Sequence, residues 1–109
     1  MKNAVNLTQK NFPAEVLQSP TPVIVDFSAP WCGPCKVLDP LLDTLAGEYA
    51  GRVKVATVDL EAEPGLAEAL RVQHVPTLVI YRGGAVVEVI VGFRGPGPVR
   101  ALFQGLAGT

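Results

Sequence analysis

The sequence predicts an α/β protein with a mixed central sheet and helices on both faces of that sheet. Two observations lead to this prediction. Apolar runs of strand length alternate with segments in which apolar residues recur at helical spacing. The last two apolar runs are separated by Gly83-Gly84, which is typical of a β-hairpin. The order βαβαβα followed by ββα favours parallel strands joined through helices, with an antiparallel hairpin at the C-terminal end.

The first half of the chain is expected to contain a short strand, a short helix, a buried strand and a long helix. Residues 3–7 are predicted to form the first strand, and residues 12–17 a helix with Pro13 in its first turn. Residues 22–27 form a β-branched apolar run typical of a buried central strand. A long helix is expected next, and Ala50-Gly51 is expected to end it. Its apolar residues recur at helical spacing: Val37, Leu38, Leu41, Leu42, Leu45, Ala46 and Tyr49.

The second half is expected to contain a strand, a short helix, the hairpin and a last helix. Residues 53–58 form the strand candidate, and Pro64 opens the short helix. Residues 77–81 and 86–91 are the two hairpin strands. In each of the two helices, apolar residues recur at helical spacing. They are Leu66, Ala67 and Leu70 in the short helix, and Val99, Leu102, Phe103 and Leu106 in the last helix. We find no linker or repeat, and we expect one domain over residues 1–109 and a monomer.

Composition and charge exclude several classes of function. The 109 residues are 49% hydrophobic and 17% charged, which is sufficient for a packed core. A formal net charge of −1 gives no electrostatic reason to expect nucleic acid or an anionic membrane as a partner. No apolar run approaches the roughly 18 residues of a membrane span. The first six residues lack the apolar stretch of a secretory signal, so we expect a cytoplasmic protein.

The chemistry of the chain is concentrated in Trp31-Cys32-Gly33-Pro34-Cys35-Lys36, between a buried strand and the long helix. Residues three apart on a helix have Cβ atoms about 5–6 Å apart, and a disulfide requires roughly 3.5–4.5 Å. A small local adjustment therefore allows the same turn to hold a dithiol or a disulfide. Thiol–disulfide exchange needs this reversibility, because a thiolate attacks a substrate disulfide and a second thiol then resolves the mixed disulfide.

The positions of the two cysteines predict different roles. Cys32 lies at the helix N-terminus, where free backbone N–H groups and the helix dipole stabilise a thiolate. Cys35 lies one turn further into the helix and is expected to be more buried. We therefore interpret Cys32 as the nucleophile and Cys35 as the resolving thiol.

The cysteine pair has two other possible interpretations. A C-x-x-C pair can be half of a zinc site, but such a site needs three or four protein ligands. The sequence has two cysteines and one histidine, His74, so we expect no metal. Two inert buried cysteines are the other possibility, and Gly33-Pro34 between them argues against it.

Several segments resemble the thioredoxin family. Residues 26–36 match its active-site segment closely, and further matches are Pro40, Val75-Pro76-Thr77, Gly84 and Gly92. The resemblance implies a thioredoxin fold and the reduction of protein disulfides. It also implies that the chain needs no cofactor of its own, because a thioredoxin reductase supplies electrons from NADPH. The alternatives on the same fold are an oxidase or isomerase and a binding module without redox function.

Asp26 interrupts the apolar strand that precedes the cysteines. Burial disfavours its charged form, so we expect its pKa to be raised. The resemblance implies that Asp26 accepts a proton from Cys35 during resolution. The alternative is a buried acid that is satisfied by the backbone or by water.

The resemblance also implies a shallow apolar surface for protein substrates. Its residues would be Trp31, Gly33, Pro34, Val75, Pro76 and Gly92, with Phe93 beside them. The Val75–Pro76 bond would be cis, with the backbone of Val75 presented to an extended substrate. From the residues alone, Pro76 would be an ordinary trans proline at the start of a strand, and Trp31 could belong to the core.

Three positions depart from the family's pattern. Thr57 stands where many thioredoxins have a lysine close to the buried acid. Lys54 cannot replace that lysine directly, since an odd offset along a strand points to the opposite face. Ser28 stands where a tryptophan is often found. His74 stands where small residues are common, and we interpret it as a surface residue, with stabilisation of the Cys32 thiolate as the alternative.

Overall fold

The computed structural model describes residues 1–108 and has a five-stranded mixed sheet with helices on both faces. This confirms the predicted fold class and the predicted order of elements. The strands are β1 (Val5–Asn6), β2 (Val23–Ser28), β3 (Lys54–Asp59), β4 (Thr77–Arg82) and β5 (Ala85–Val91). The helices are a π-helical turn (Pro13–Leu17), α1 (Gly33–Glu48), α2 (Pro64–Ala69) and α3 (Pro96–Ala107).

The strand order is β1-β3-β2-β4-β5, and the direction of β4 differs from the expectation. Strands β1, β2 and β3 are parallel, whereas β4 is antiparallel to β2 and β5 is antiparallel to β4. The prediction that β3 and β4, joined through α2, would be parallel was wrong. Asp59 at the end of β3 pairs with Ser28, and Thr77 at the start of β4 pairs with Phe27. The connection through the short α2 therefore begins and ends at the same end of the sheet, which makes β4 antiparallel to β2 and β3.

This reversal brings the start of β4 to the same end of the sheet as the cysteine segment. Phe27, near the end of β2, pairs with Thr77 at the start of β4. Residues that directly precede Thr77 therefore lie next to the loop that follows β2. Two distant segments of the sequence meet at this edge.

Each face of the sheet carries its own apolar core. The helices α1 and α3 cover one face and contribute Leu38, Leu42 and Phe103. The π-helical turn and α2 cover the other face, contributing residues such as Val16 and Leu66. Side chains of β2 alternate between the two cores because successive residues of a strand point to opposite faces.

The alternation in β2 determines where its polar residues lie. Ile24 belongs to the core under α1 and α3, whereas Val25 and Phe27 belong to the opposite core. Asp26 and Ser28 share the parity of Ile24, so both side chains face α1. The acid thus lies under the helix that carries the second cysteine.

The predicted hairpin is confirmed. Gly83 and Gly84 join β4 to β5 with φ values of 60° and 81°, which non-glycine residues rarely adopt. A Cβ on Gly84 would lie 2.8 Å from the carbonyl oxygen of Leu17, so this glycine also permits a close approach of two backbones. Within residues 1–108, no helix is both long enough and apolar enough to cross a membrane.

Candidate active site

Cys32 is the residue that caps the N-terminus of α1. Its backbone is extended (φ −84°, ψ 111°), and its Sγ accepts a hydrogen bond of 3.2 Å from the N–H of Cys35. The next two residues, Gly33 and Pro34, form the start of the helix. Proline is well suited to this first turn because its missing N–H would have no partner within the helix. The geometry places Sγ of Cys32 where the helix dipole stabilises negative charge.

Cys32 and Cys35 are joined by a disulfide bond, with their Cα atoms 5.3 Å apart. Both residues are buried, with 3% of Cys32 and 1% of Cys35 exposed. The expected difference in burial is therefore small in this oxidised state. The distinction between the cysteines lies in their positions, one at the helix end and one inside the first turn. Val75 and Leu60 pack against the disulfide cluster.

The residues predicted for the apolar surface lie around this disulfide. Trp31 is 64% exposed, so it is not a core residue. Gly33 and Pro34 are also exposed, Val75 is half-buried and Pro76 is buried. The Val75–Pro76 peptide bond is cis, as the resemblance implies and contrary to what the residues alone suggest.

Gly92 lies next to Pro76. Its N–H donates a hydrogen bond of 2.8 Å to the carbonyl oxygen of Pro76, and its φ of 88° favours glycine. The structure therefore brings the loop before β4 and the end of β5 together beside the disulfide. Phe93 is half-buried and packs against the α1/α3 core.

Asp26 is fully buried, and neither of its carboxylate oxygens has a hydrogen-bond partner among residues 1–108. Burial raises the pKa of Asp26 well above its usual value, and the nearby carboxyl group of Asp39 raises the pKa further. No hydrogen bond of normal geometry joins the two carboxyl groups, so we ascribe this second effect to the charge of Asp39. In the described part of the chain, the backbone does not satisfy Asp26.

The residues around Asp26 include no ammonium partner among residues 1–108. Thr57 pairs with Asp26 across the parallel strands β2 and β3. Lys54 points elsewhere, and its Nζ forms an ion pair of 2.5 Å with Glu15. The expectation that Lys54 does not replace the family's lysine is confirmed. The carboxyl group of Asp26 therefore lacks the compensation that a nearby cation provides.

Asp39 was missed by the sequence reasoning. One of its oxygens, Oδ1, is buried without a partner, and the other, Oδ2, accepts a hydrogen bond of 2.9 Å from Oγ of Ser28. A usable signal was present, because Asp39 lies four residues after Cys35 and so shares its helix face. Beside these residues, a cleft of about 300 Å³ is lined by Ser28, Cys35 and Asp39, among others.

His74 and Lys36 are exposed residues near the disulfide. His74 is exposed, and its carbonyl oxygen accepts a hydrogen bond of 2.6 Å from Oγ1 of Thr77. Lys36 is exposed and lines the cleft. In the region that the structure covers, no three His, Cys, Asp or Glu side chains gather in a way that could hold a metal ion.

A comparison of the sequence with descriptions of protein families matches Thioredoxin over residues 3–104. The chain belongs to the thioredoxin family. The match covers nearly the whole sequence, including the disulfide, Asp26 and the loop before β4. Together with the disulfide at the helix end, it makes this thioredoxin-family protein a thiol–disulfide oxidoreductase that acts as a protein-disulfide reductase.

Curated relatives agree with this assignment. Thioredoxin 1 of Nostoc sp. is 42% identical over 92 residues, which cover 84% of this chain and 86% of the relative. Thioredoxin C-2 of Corynebacterium nephridii is 44% identical over 88 residues, covering 81% of this chain and 82% of the relative. The bifunctional thioredoxin reductase/thioredoxin of Mycobacterium leprae is 41% identical over 97 residues, which cover 86% of this chain and 21% of that longer protein.

Proposed function

We propose that Cys32 is the attacking thiolate, Cys35 the resolving thiol and Asp26 the group that accepts the proton of Cys35. The observation that carries this proposal is the disulfide at the N-terminus of α1 with an unpartnered, buried carboxyl group behind it. Of the two sulfur atoms, only that of Cys32 belongs to the residue that caps the helix. The helix end lowers the free energy of its thiolate.

The first half of the reaction forms a mixed disulfide. The Cys32 thiolate attacks one sulfur of a substrate disulfide, a new Cys32–substrate bond forms, and the substrate's own S–S bond breaks. The other substrate sulfur leaves as a thiolate that carries the electron pair of the broken bond. The substrate is thus half reduced and covalently held.

The second half releases the substrate. Cys35 transfers its thiol proton to the carboxylate of Asp26, and the resulting thiolate attacks Sγ of Cys32. The bond between Cys32 and the substrate breaks, and the second substrate sulfur leaves with its electron pair. The product of this step on the enzyme is the Cys32–Cys35 disulfide, the state in which the structure holds the two residues.

The docking surface of the substrate consists of Trp31, Gly33, Pro34, Val75, Pro76 and Gly92. A Cβ on Gly33 would meet no atom within 4 Å, so packing within the chain does not require a glycine there. Its missing side chain leaves the surface beside Cys32 flat. An extended substrate could pair with the backbone of Val75, which gives affinity with little demand on sequence.

Electrons come from NADPH through a thioredoxin reductase, which is the partner of the oxidised state. In the Mycobacterium leprae relative, the two activities named are joined in one protein, which supports this partnership. The chain acts as a single-domain monomer in the cytoplasm, without a cofactor of its own.

The test is the reduction of insulin disulfides with dithiothreitol as the electron source. We expect the native chain to accelerate insulin reduction and a Cys32→Ser, Cys35→Ser variant to give only the rate of dithiothreitol alone. The reduction potential, measured against glutathione, distinguishes a reductase from an oxidase. A strongly oxidising potential would contradict the proposal. A double-serine variant that still binds all partners of the native chain would favour a binding module instead.

A further inference from the structure

In the part of the chain that the structure describes, three buried carboxylate oxygens behind the disulfide have no hydrogen-bond partner. Two belong to Asp26, and the third is Oδ1 of Asp39. Buried polar atoms are normally paired, because an unpaired one keeps the cost of losing its water. Two acidic groups near each other cannot both be ionised without an additional electrostatic cost. Their protonation is therefore interdependent.

Asp39 is held in place from β2. Ser28 and Asp26 lie two residues apart on this strand and share a face, which packs under α1. The hydroxyl group of Ser28 donates to Oδ2 of Asp39 at 2.9 Å. Ser28 therefore fixes the orientation of the Asp39 carboxyl group beside Asp26.

The two acids differ in their relation to solvent. Asp39 lines the cleft of about 300 Å³ next to Cys35, whereas Asp26 is not part of the cleft lining. Other charged groups along this cleft are Lys36 on α1, Asp59 at the end of β3, and the amino-terminal residue Met1. Of these groups, only Asp39 combines a place in the cleft with a direct electrostatic effect on Asp26.

We propose that Asp39, held by Ser28, is a positioning residue for the resolving step, because its carboxyl group lies beside Asp26 and favours the transfer of the Cys35 proton to that residue. This inference rests on the proposed role of Asp26. The reaction itself is unchanged: the proton moves from Sγ of Cys35 to a carboxylate oxygen of Asp26. The electron pair left on Cys35 forms the bond to Cys32 as the substrate thiolate departs. Asp39 touches neither sulfur in this scheme and acts through Asp26.

The first test measures the coupling between the acids without the reaction. In the oxidised protein neither cysteine titrates, so carboxyl-carbon NMR can follow Asp26 alone. We expect Asp39→Asn to move the titration midpoint of Asp26 to lower pH by about one unit or more, since a like charge at close range shifts a pKa by this order. Asparagine retains an oxygen that can accept from Ser28, so the geometry is preserved.

The matched control is Asp59→Asn. It removes one negative charge from the same cleft, and its amide oxygen can still accept from the N–H groups of Glu61 and Ala62. We expect this variant to move the Asp26 midpoint by a few tenths of a unit at most. Equal shifts in the two variants would overturn the specific role of Asp39. This holds even if either variant loses some stability, because the signal comes from folded protein.

The second test examines Ser28 and the chemical step. Ser28→Ala should shift the Asp26 midpoint in the same direction as Asp39→Asn but less, and the double variant should match Asp39→Asn. Additive shifts in the double variant would overturn the role of Ser28. In single-turnover release of a substrate from the mixed disulfide, the midpoint of the pH profile should follow the NMR midpoint across these variants.

The two proposals can fail separately. If Asp26→Asn leaves the pH profile of release unchanged, Asp26 is not the proton acceptor, and the proposed function fails at that residue. The inference about Asp39 then falls with it, although the NMR coupling can remain. If Asp26→Asn removes the pH dependence but Asp39→Asn does not move it, the proposed function stands and the role of Asp39 is overturned.

Discussion

The two sides of the disulfide differ in solvent exposure and in the presence of acidic groups. On the outer side, Trp31, Gly33 and Pro34 are exposed and carry no charge. On the inner side, Asp26 is fully buried, and neither of its oxygens has a hydrogen-bond partner within the described residues 1–108. Asp39 contributes a third oxygen without a partner in the same range. One side is suited to contact with another protein, and the other is suited to holding a proton. The proposed function therefore assigns recognition of the substrate and proton transfer to different residues.

The outer and inner sides of the disulfide should also differ in their effect on the stability of the fold. An exposed apolar residue such as Trp31 adds little to the folded state, whereas a buried, unpaired carboxyl group opposes folding once it is ionised. Substitutions on the outer side should therefore affect binding of the substrate. Substitutions on the inner side should affect both the chemical step and the dependence of stability on pH.

The largest effect is expected from Cys32→Ser, which removes the sulfur proposed to attack the substrate. Insulin reduction should fall to the rate of dithiothreitol alone, because serine at this position is not a nucleophile for a disulfide. The measurement is the initial rate of insulin precipitation over a range of protein concentrations. A residual rate that rises with the concentration of the variant would show that Cys35 can attack substrate by itself.

The next effect is expected on the inner side, from Asp26→Ala. Release of substrate from the mixed disulfide should slow by about 10²-fold, the lower end of what a positioned proton acceptor contributes. Formation of the mixed disulfide should change much less. Single-turnover kinetics separate the two steps. Equal slowing of both would indicate that Asp26 acts on the site as a whole.

The same variant should be more stable than the native chain near pH 8, by about 1–3 kcal/mol, the cost of a buried polar group without a partner. Because the folded state raises the pKa of Asp26 above 3.8, its stabilising effect is complete below that value and is lost as the pH rises through the folded pKa. The pH dependence should therefore flatten in Asp26→Ala. Denaturant melts at pH 5 and pH 8 check this, with Asp26→Asn as the isosteric control.

On the outer side, Trp31→Ala should raise KM for a protein substrate about five- to tenfold with little change in kcat. Tryptophans at the centre of an interface commonly contribute more than about 1 kcal/mol to binding. The change in stability should stay within about 0.5 kcal/mol, since Trp31 is 64% exposed. Val87→Ala is the matched control, because Val87 is 55% exposed on β5. A large loss of stability in Trp31→Ala would place this side chain in the core.

The smallest effect is expected from His74→Ala. His74 is exposed, so interactions with its side chain are screened by water. The ultraviolet titration of the Cys32 thiolate should shift by no more than a few tenths of a pH unit. A shift of a full unit towards higher pH would instead support stabilisation of the thiolate by the imidazolium group.

The elements of the fold could be predicted because local signals determine them. Periodicity located the long helix, and Gly83-Gly84 located the hairpin. The direction of β4 could not be predicted from the order of elements, because the connection of residues 60–76 is long enough either to run back along the sheet or to stay at one end of it. That direction is what brings Pro76 to the cysteine segment, so this part of the site is a consequence of tertiary structure.

The same distinction applies to the site. The cysteine pair and Asp26 could be found in one continuous segment, residues 26–36. Asp39 could not be recognised with equal ease, because a single acid in an amphipathic helix is usually a surface residue. Only the packing of α1 on β2 brings it to Ser28. The partner of a buried group is a property of the fold, whereas the group itself can be identified from the sequence.

The central claim is that Cys32 attacks the substrate and Cys35 resolves the mixed disulfide. Its most direct test uses Cys35→Ser and a substrate with a single disulfide. Without a resolving thiol, the mixed disulfide should accumulate, and mass spectrometry of the digested complex should place the substrate on Cys32. Cys32→Ser should form no such complex at the same concentration and time. Substrate found on Cys35 of the Cys32→Ser variant at a comparable rate would contradict the account.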